Sequence, residues 1–159
     1  MFKTLQRICV FTGAVWAVTG GALAQTTAPM LPIALRTSGT VGLTAGQTAR
    51  LNVLNPGALA PAVGVVCAAQ LSFLNAQGTV LKTSSVSVPP GESISFNLDR
   101  DVDLIVSDFR VQVRAVIAYN SNTCALLPTL EVFNDDTGRT QFVVTRFAAI
   151  PFLLTPATP

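Results

Sequence analysis

After about residue 40, apolar and polar positions alternate with a period of two along most of the chain. Successive side chains of a strand point to opposite faces, so this alternation marks strands buried on one side. Residues 48–54 set Leu51 and Val53 inward and Arg50 and Asn52 outward. Residues 70–74 put Leu71 and Phe73 on one face, and residues 80–88 are rich in Val, Thr and Ser. Residues 93–98 oppose Ile94, Phe96 and Leu98 to Ser93, Ser95 and Asn97. Residues 110–117 alternate most clearly, with Val111, Val113, Ala115 and Ile117 against Arg110, Gln112 and Arg114. Two further runs, 130–133 and 140–145, flank Asn134, Asp135, Asp136, Thr137 and Gly138, a hairpin loop.

Turn residues separate the other runs: Pro56 with Gly57, residues 75–78, and Pro89, Pro90 and Gly91. The helical period is absent from these segments, although 99–108 has room for one short helical turn. Short strands at this spacing predict an all-β chain, a single antiparallel β-sandwich of about 7–9 strands. Two corners share one chemistry. Leu43 leads through Gly46, Gln47 and Thr48 to Leu51 and Asn52, and Val88 leads through Gly91, Glu92 and Ser93 to Phe96 and Asn97. Each glycine is expected at a turn that needs positive φ.

The first residues follow another logic. Lys3 and Arg7 precede a short apolar run at 8–18, then Gly20 and Gly21, then Ala22, Leu23 and Ala24. A basic start, a short apolar centre and an A-x-A end form a secretory signal peptide, with cleavage between Ala24 and Gln25. A transmembrane anchor needs about 20 apolar residues, and this run is too short. The expected organisation is therefore a signal at 1–24, an extension or edge strand at 25–39, a sandwich at 40–146 and an apolar tail or edge strand at 147–159. No membrane span is expected after cleavage, and the expected location is the periplasm or the cell exterior.

The signal changes the charge balance. The whole chain has 159 residues, 50% hydrophobic and 11% charged, with a formal charge of +2. Both surplus cations, Lys3 and Arg7, lie in the signal, and the remaining eight basic residues balance eight acidic ones. Neutrality argues against nucleic acid as a partner, because phosphate binding needs a basic surface. Histidine is absent. The commonest general base and metal ligand are thus missing, and no Ser-His-Asp triad or His-based zinc site can be built.

Cys67 and Cys124 remain after cleavage, 57 positions apart. Export would place them in an oxidising compartment, where a disulfide persists. A reactive or metal-binding thiol is the alternative, but neither has a C-x-x-C partner or a basic cluster.

The strings LTAGQTARLNVLN, AQLSFLNAQGTVL after a cysteine, VPPGESISFNLDR, VQVRAVIAY, and LEVFNDDTGRT after a second cysteine resemble a group of exported bacterial immunoglobulin-like proteins. The resemblance spans residues 40–145. It implies an immunoglobulin-like sandwich and export, and no catalytic residue or activity. Antibody-type domains set a buried Trp against their disulfide. Here the one Trp, Trp16, lies in the signal. Cys67 opens a strand and Cys124 sits in a loop, so the bridge is expected to pin a loop at one end.

Several residues could carry chemistry. Asp99, Asp101 and Asp103, with Asp108 near, could converge oxygens on calcium. The EF-hand spacing is absent, and the simpler reading is a solvated connection in which Arg100 neutralises its neighbours. Glu92 and Glu131 add carboxylates, yet no pair is singled out for acid–base work. The expectation is a non-enzyme with no cofactor, calcium being the only alternative. A carbohydrate module would have Tyr119 as its one stacking ring.

The two ends stand out. Met30, Leu31, Ile33 and Leu35 lie in the first, and Phe147, Ile150, Phe152, Leu153 and Leu154 in the second, with no charged residue after Arg146. Apolar ends bury themselves, either on their own domain or by adding a strand to another subunit. The sequence therefore points to a structural or interaction protein with a protein partner or self-association, possible contacts being these nine residues. The alternative is a ligand-binding module for sugar or calcium.

Overall fold

The structure, a computed structural model, describes residues 33–57, 64–104 and 108–150. The signal at 1–24, with Ala24 and Gln25, and the apolar residues Met30, Leu31, Phe152, Leu153 and Leu154 lie outside these. The chain divides into Met1–Met30 and Leu31–Pro159, and every described residue belongs to the second unit.

Ten strands and no α-helix occur among the described residues. They are β1 (Ile33–Thr37), β2 (Val41–Thr44), β3 (Gln47–Leu54), β4 (Cys67–Asn75), β5 (Val80–Val88), β6 (Ser93–Asp99), β7 (Arg110–Asn120), β8 (Leu127–Asn134), β9 (Thr140–Val144) and β10 (Ala148–Ala149). One sheet runs β10-β1-β7-β4-β5, with β2 also paired to β7, and the other runs β6-β3-β8-β9. All pairings are antiparallel.

The alternation explains the core. From the first sheet Leu43, Leu71, Phe73, Val113, Ala115 and Ile117 are fully buried. From the second, Ala49, Leu51, Val53, Leu98 and Leu130 meet them in one cluster. Phe73 and Phe96 stack, with ring centroids 5.3 Å apart. Such pairs contribute about 0.5–1.5 kcal/mol beyond their buried area.

The strands on β7 change register midway. Thr37 pairs with Val116, but Val41 pairs with Val113. The irregularity falls at Ser38, which is buried. Its N–H donates to the Ala115 carbonyl at 2.9 Å, and its Oγ accepts from the Ala115 N–H at 2.8 Å. The hydroxyl does the work of the missing ladder carbonyl, so the buried amide stays paired.

The twin corners sit at opposite ends of β3. Gly46 (φ 70°) turns β2 into β3, and Gly91 (φ 78°) turns β5 into β6. Asn55, just past β3, holds the second corner. Its backbone carbonyl accepts from Gly91 N–H, and its N–H donates to the Glu92 carbonyl. Its buried side chain donates to the carbonyls of Val65 and Val88, at 3.0 and 2.9 Å, and accepts from Gly57 N–H.

Candidate functional site

Cys67 is the first residue of β4, and Cys124 lies in the β7–β8 connection. Their Cα atoms are 5.7 Å apart and their sulfurs are at bonding distance. That spacing is the usual one for a disulfide. Both are buried, and the pair ties the β7–β8 connection to the neighbouring strand of the same sheet.

The aspartate segment is built around hydrogen bonds to its own chain. Asp99 Oδ1 accepts from the N–H groups of Asp101 and Val102. Asp101 Oδ2 accepts from Gly46 N–H at 2.7 Å. Asp103 Oδ2 accepts from Lys82 Nζ at 2.6 Å and from Asp99 N–H at 2.9 Å. The three carboxylates thus serve separate sets of partners. Among the described residues, no three Cys, Asp or Glu side chains gather where a metal could sit. Desolvation pushes the Asp103 carboxyl up, but the Lys82 hydrogen bond, the Asp99 N–H and the Lys82 charge together hold it below its ordinary value. A general acid needs the opposite shift.

Arg100 keeps its ion pair with Asp101, as expected, but is buried, at 8% exposed, rather than solvated. Nη2 donates to the Asp108 carbonyl at 2.7 Å and Nη1 to the Leu104 carbonyl at 3.4 Å, while Asp101 stands 3.7 Å away. The flanking aspartates point to a solvated connection, and nothing in the sequence marks the carbonyls that draw Arg100 inward. Tyr119 does not suit the carbohydrate alternative. It is 5% exposed and its hydroxyl accepts from Arg36 Nε at 3.0 Å, so it offers no open ring for stacking on a sugar. Glu92 is exposed at a turn, and Glu131 pairs with Arg50 at 3.6 Å.

The described parts of the two ends meet in one sheet. Ile33 and Leu35 lie in β1, which has β7 on one side and β10 on the other. Arg36 pairs with Ala149 and Thr37 with Ala148, and Ile150 N–H donates to the Leu35 carbonyl at 2.9 Å. Phe147 packs half-buried against the core.

The open edge lies elsewhere. Among the described residues β9 pairs with β8 alone and ends its sheet. From Thr140 to Val144 it carries no charge, and Phe142 and Val143 are 54% and 49% exposed. The other long edges carry charge: Lys82 in β5 and Asp99 in β6. Alternation alone did not single out Phe142, because it shares the inward phase with buried Val132, its partner in β8. Among the described residues no strand lies beyond β9 to cover it.

Between the sheets a groove opens on the flank where the chain leaves β9 for β10, with a volume of about 810 Å³. Arg36, Tyr119, Leu127, Pro128, Arg146 and Phe147 are among its walls. Compared with known proteins, the chain matches no family model, no curated protein and no solved structure. A functional reading therefore rests on these surfaces.

Proposed function

We propose that this is an exported, non-catalytic interaction protein that self-associates by strand addition, and that β9 is the edge it uses. The observation that carries this reading is the uncharged β9 edge with Phe142 and Val143 half in solvent. Natural sheet edges are usually blunted by charge, proline, a bulge or cover. β9 has one such device, a register irregularity between Val132 and Phe133, and it sits at the hairpin end. A second copy pairing antiparallel to β9 would join two four-stranded sheets through new backbone hydrogen bonds. Neutrality after signal removal leaves no net repulsion against that pairing. Ile33, Leu35, Phe147 and Ile150 pair or pack within the chain's own fold, and the other five apolar end residues lie outside the described residues, so the edge proposed is β9.

The magnitudes point to weak association. Burying a Phe or Val side chain fully contributes about 1.5–3 kcal/mol. Docking costs an estimated 4–15 kcal/mol in lost freedom. Two apolar side chains per copy and a short ladder therefore support pairing at high concentration only. Export is supported by the pattern of residues 1–24 and by the paired cysteines.

The proposed fold is immunoglobulin-like in its central strands. β3 and β6 pair in one sheet while β4 and β7 pair in the other, as strands B, E, C and F do in that fold. β8 departs from it by pairing with β3, and β1 and β2 take the place beside β7. Light scattering tests the functional reading. The purified protein should grow in mass with concentration, and Val143→Lys should keep it monomeric. A wild-type protein that stays monomeric at the highest soluble concentration overturns the self-association.

A further inference from the structure

We propose that the flank groove binds a small amphipathic carboxylate, its anionic head on Arg36 and Arg146 and its apolar body against Leu127, Pro128 and Phe147. The site is separate from the β9 edge and goes beyond the self-association reading. Three observations carry it.

The first is charge. Arg36 and Arg146 line the groove and no acidic residue does. All eight side-chain carboxylates of the chain lie among the described residues, and the ion pairs there join Arg50, Lys82 and Arg100 to their acids. Neither groove arginine has a carboxylate within 4 Å among these residues. The groove is thus a locally cationic site on a chain with balanced charge.

The second is preorganisation. Arg36 is half-buried in β1, and its Nε is anchored on the Tyr119 hydroxyl at 3.0 Å. Tyr119 is itself buried in β7. A guanidinium held by Nε still presents its two terminal nitrogens, the pair that matches the two oxygens of a carboxylate.

The third is shape and lining. Leu127 is exposed, and Pro128, with Thr129, belongs to the part of β8 that extends beyond β9 and pairs with β3 alone. Among the described residues the sheet is one strand narrower here, and Leu127 and Pro128 line the groove. A volume near 810 Å³ lies within the range of about 300–1,000 Å³ usual for ligand pockets. The combination suits a short acyl carboxylate: a neutral body would leave the arginines unused, and a small polar anion would leave the apolar wall in water.

Calorimetry with octanoate, acetate and 1-octanol tests the assignment on the whole protein. Octanoate should bind more tightly than both others by about tenfold or more, the scale of one charge-assisted hydrogen bond. Arg36→Gln and Arg146→Gln should each weaken octanoate by about tenfold and leave 1-octanol unchanged. Arg146 is exposed, so its variant keeps the fold even if Arg36→Gln does not. Arg139→Gln, on the β8–β9 hairpin, should change nothing. Octanoate that binds no better than 1-octanol, or equally well to the Arg146 variant, overturns the proposal. So does the absence of any octanoate heat at millimolar concentration. Because the β9 edge is not touched, the light-scattering result stands or falls independently.

Discussion

The Ala115 N–H, buried in the middle of β7, is paired by the hydroxyl of Ser38 and not by a backbone carbonyl, at 2.8 Å. A buried donor without a partner costs about 1–3 kcal/mol. Ser38→Ala should lower the unfolding free energy by about that amount, read from the urea midpoint at unchanged slope. Ser38→Thr, which keeps the hydroxyl, should recover part of the loss. An alanine variant as stable as the parent would mean that the register change on β7 does not depend on the side chain.

Asn55 makes a similar but wider set of contacts. Its side chain serves the carbonyls of Val65 and Val88 and the N–H of Gly57, three partners from three segments. Asn55→Ala should destabilise by about 2–4 kcal/mol, and Asn55→Asp by at least as much, since a carboxylate would face two carbonyl oxygens. Thermal unfolding of the two variants checks both the size and the order.

The cysteine pair closes a loop of 57 positions. On the chain-entropy account, such a cross-link contributes about 4 kcal/mol. Free-thiol titration of the denatured, unreduced protein should find neither Cys67 nor Cys124, and reduction should lower the urea midpoint. A stability unchanged by reduction would leave the pair without a structural role.

The Lys82–Asp103 pair gives a pH prediction. Asp103 titrates below its ordinary value of 3.8. A carboxyl lowered by folding stabilises the native state above its unfolded value, and this contribution is lost as pH falls through the lowered folded value. Stability should therefore drop between about pH 5 and pH 2 more steeply in the parent than in Asp103→Asn. Parallel curves would contradict the pairing in solution.

Alternation showed most of the core because one face of each strand is dry and the other wet. Leu51, Val53, Leu71, Phe73, Val113 and Ile117 could be placed inward from sequence, and all are fully buried. The turn glycines were legible too, since Gly46 and Gly91 both need positive φ. What local pattern could not carry was partnership at long range. Ser38 looks like any loop serine until Ala115, 77 positions away, lies beside it. Arg100 looks like a solvated cation until the carbonyls of Leu104 and Asp108 are in place. The exposure of Phe142 depends on strand order, which places β9 last in its sheet. The apolar character of the ends was readable, but not that Arg36 and Ala149 would pair.

Amide hydrogen exchange of β9 at low and high protein concentration tests the central claim most directly. The outward N–H groups of residues 140–144 should exchange fast in dilute protein and slow markedly at high concentration, with β5 amides unchanged. Equal exchange of β9 at both concentrations, or a slowing confined to β5 or to the β1–β10 edge, would contradict it.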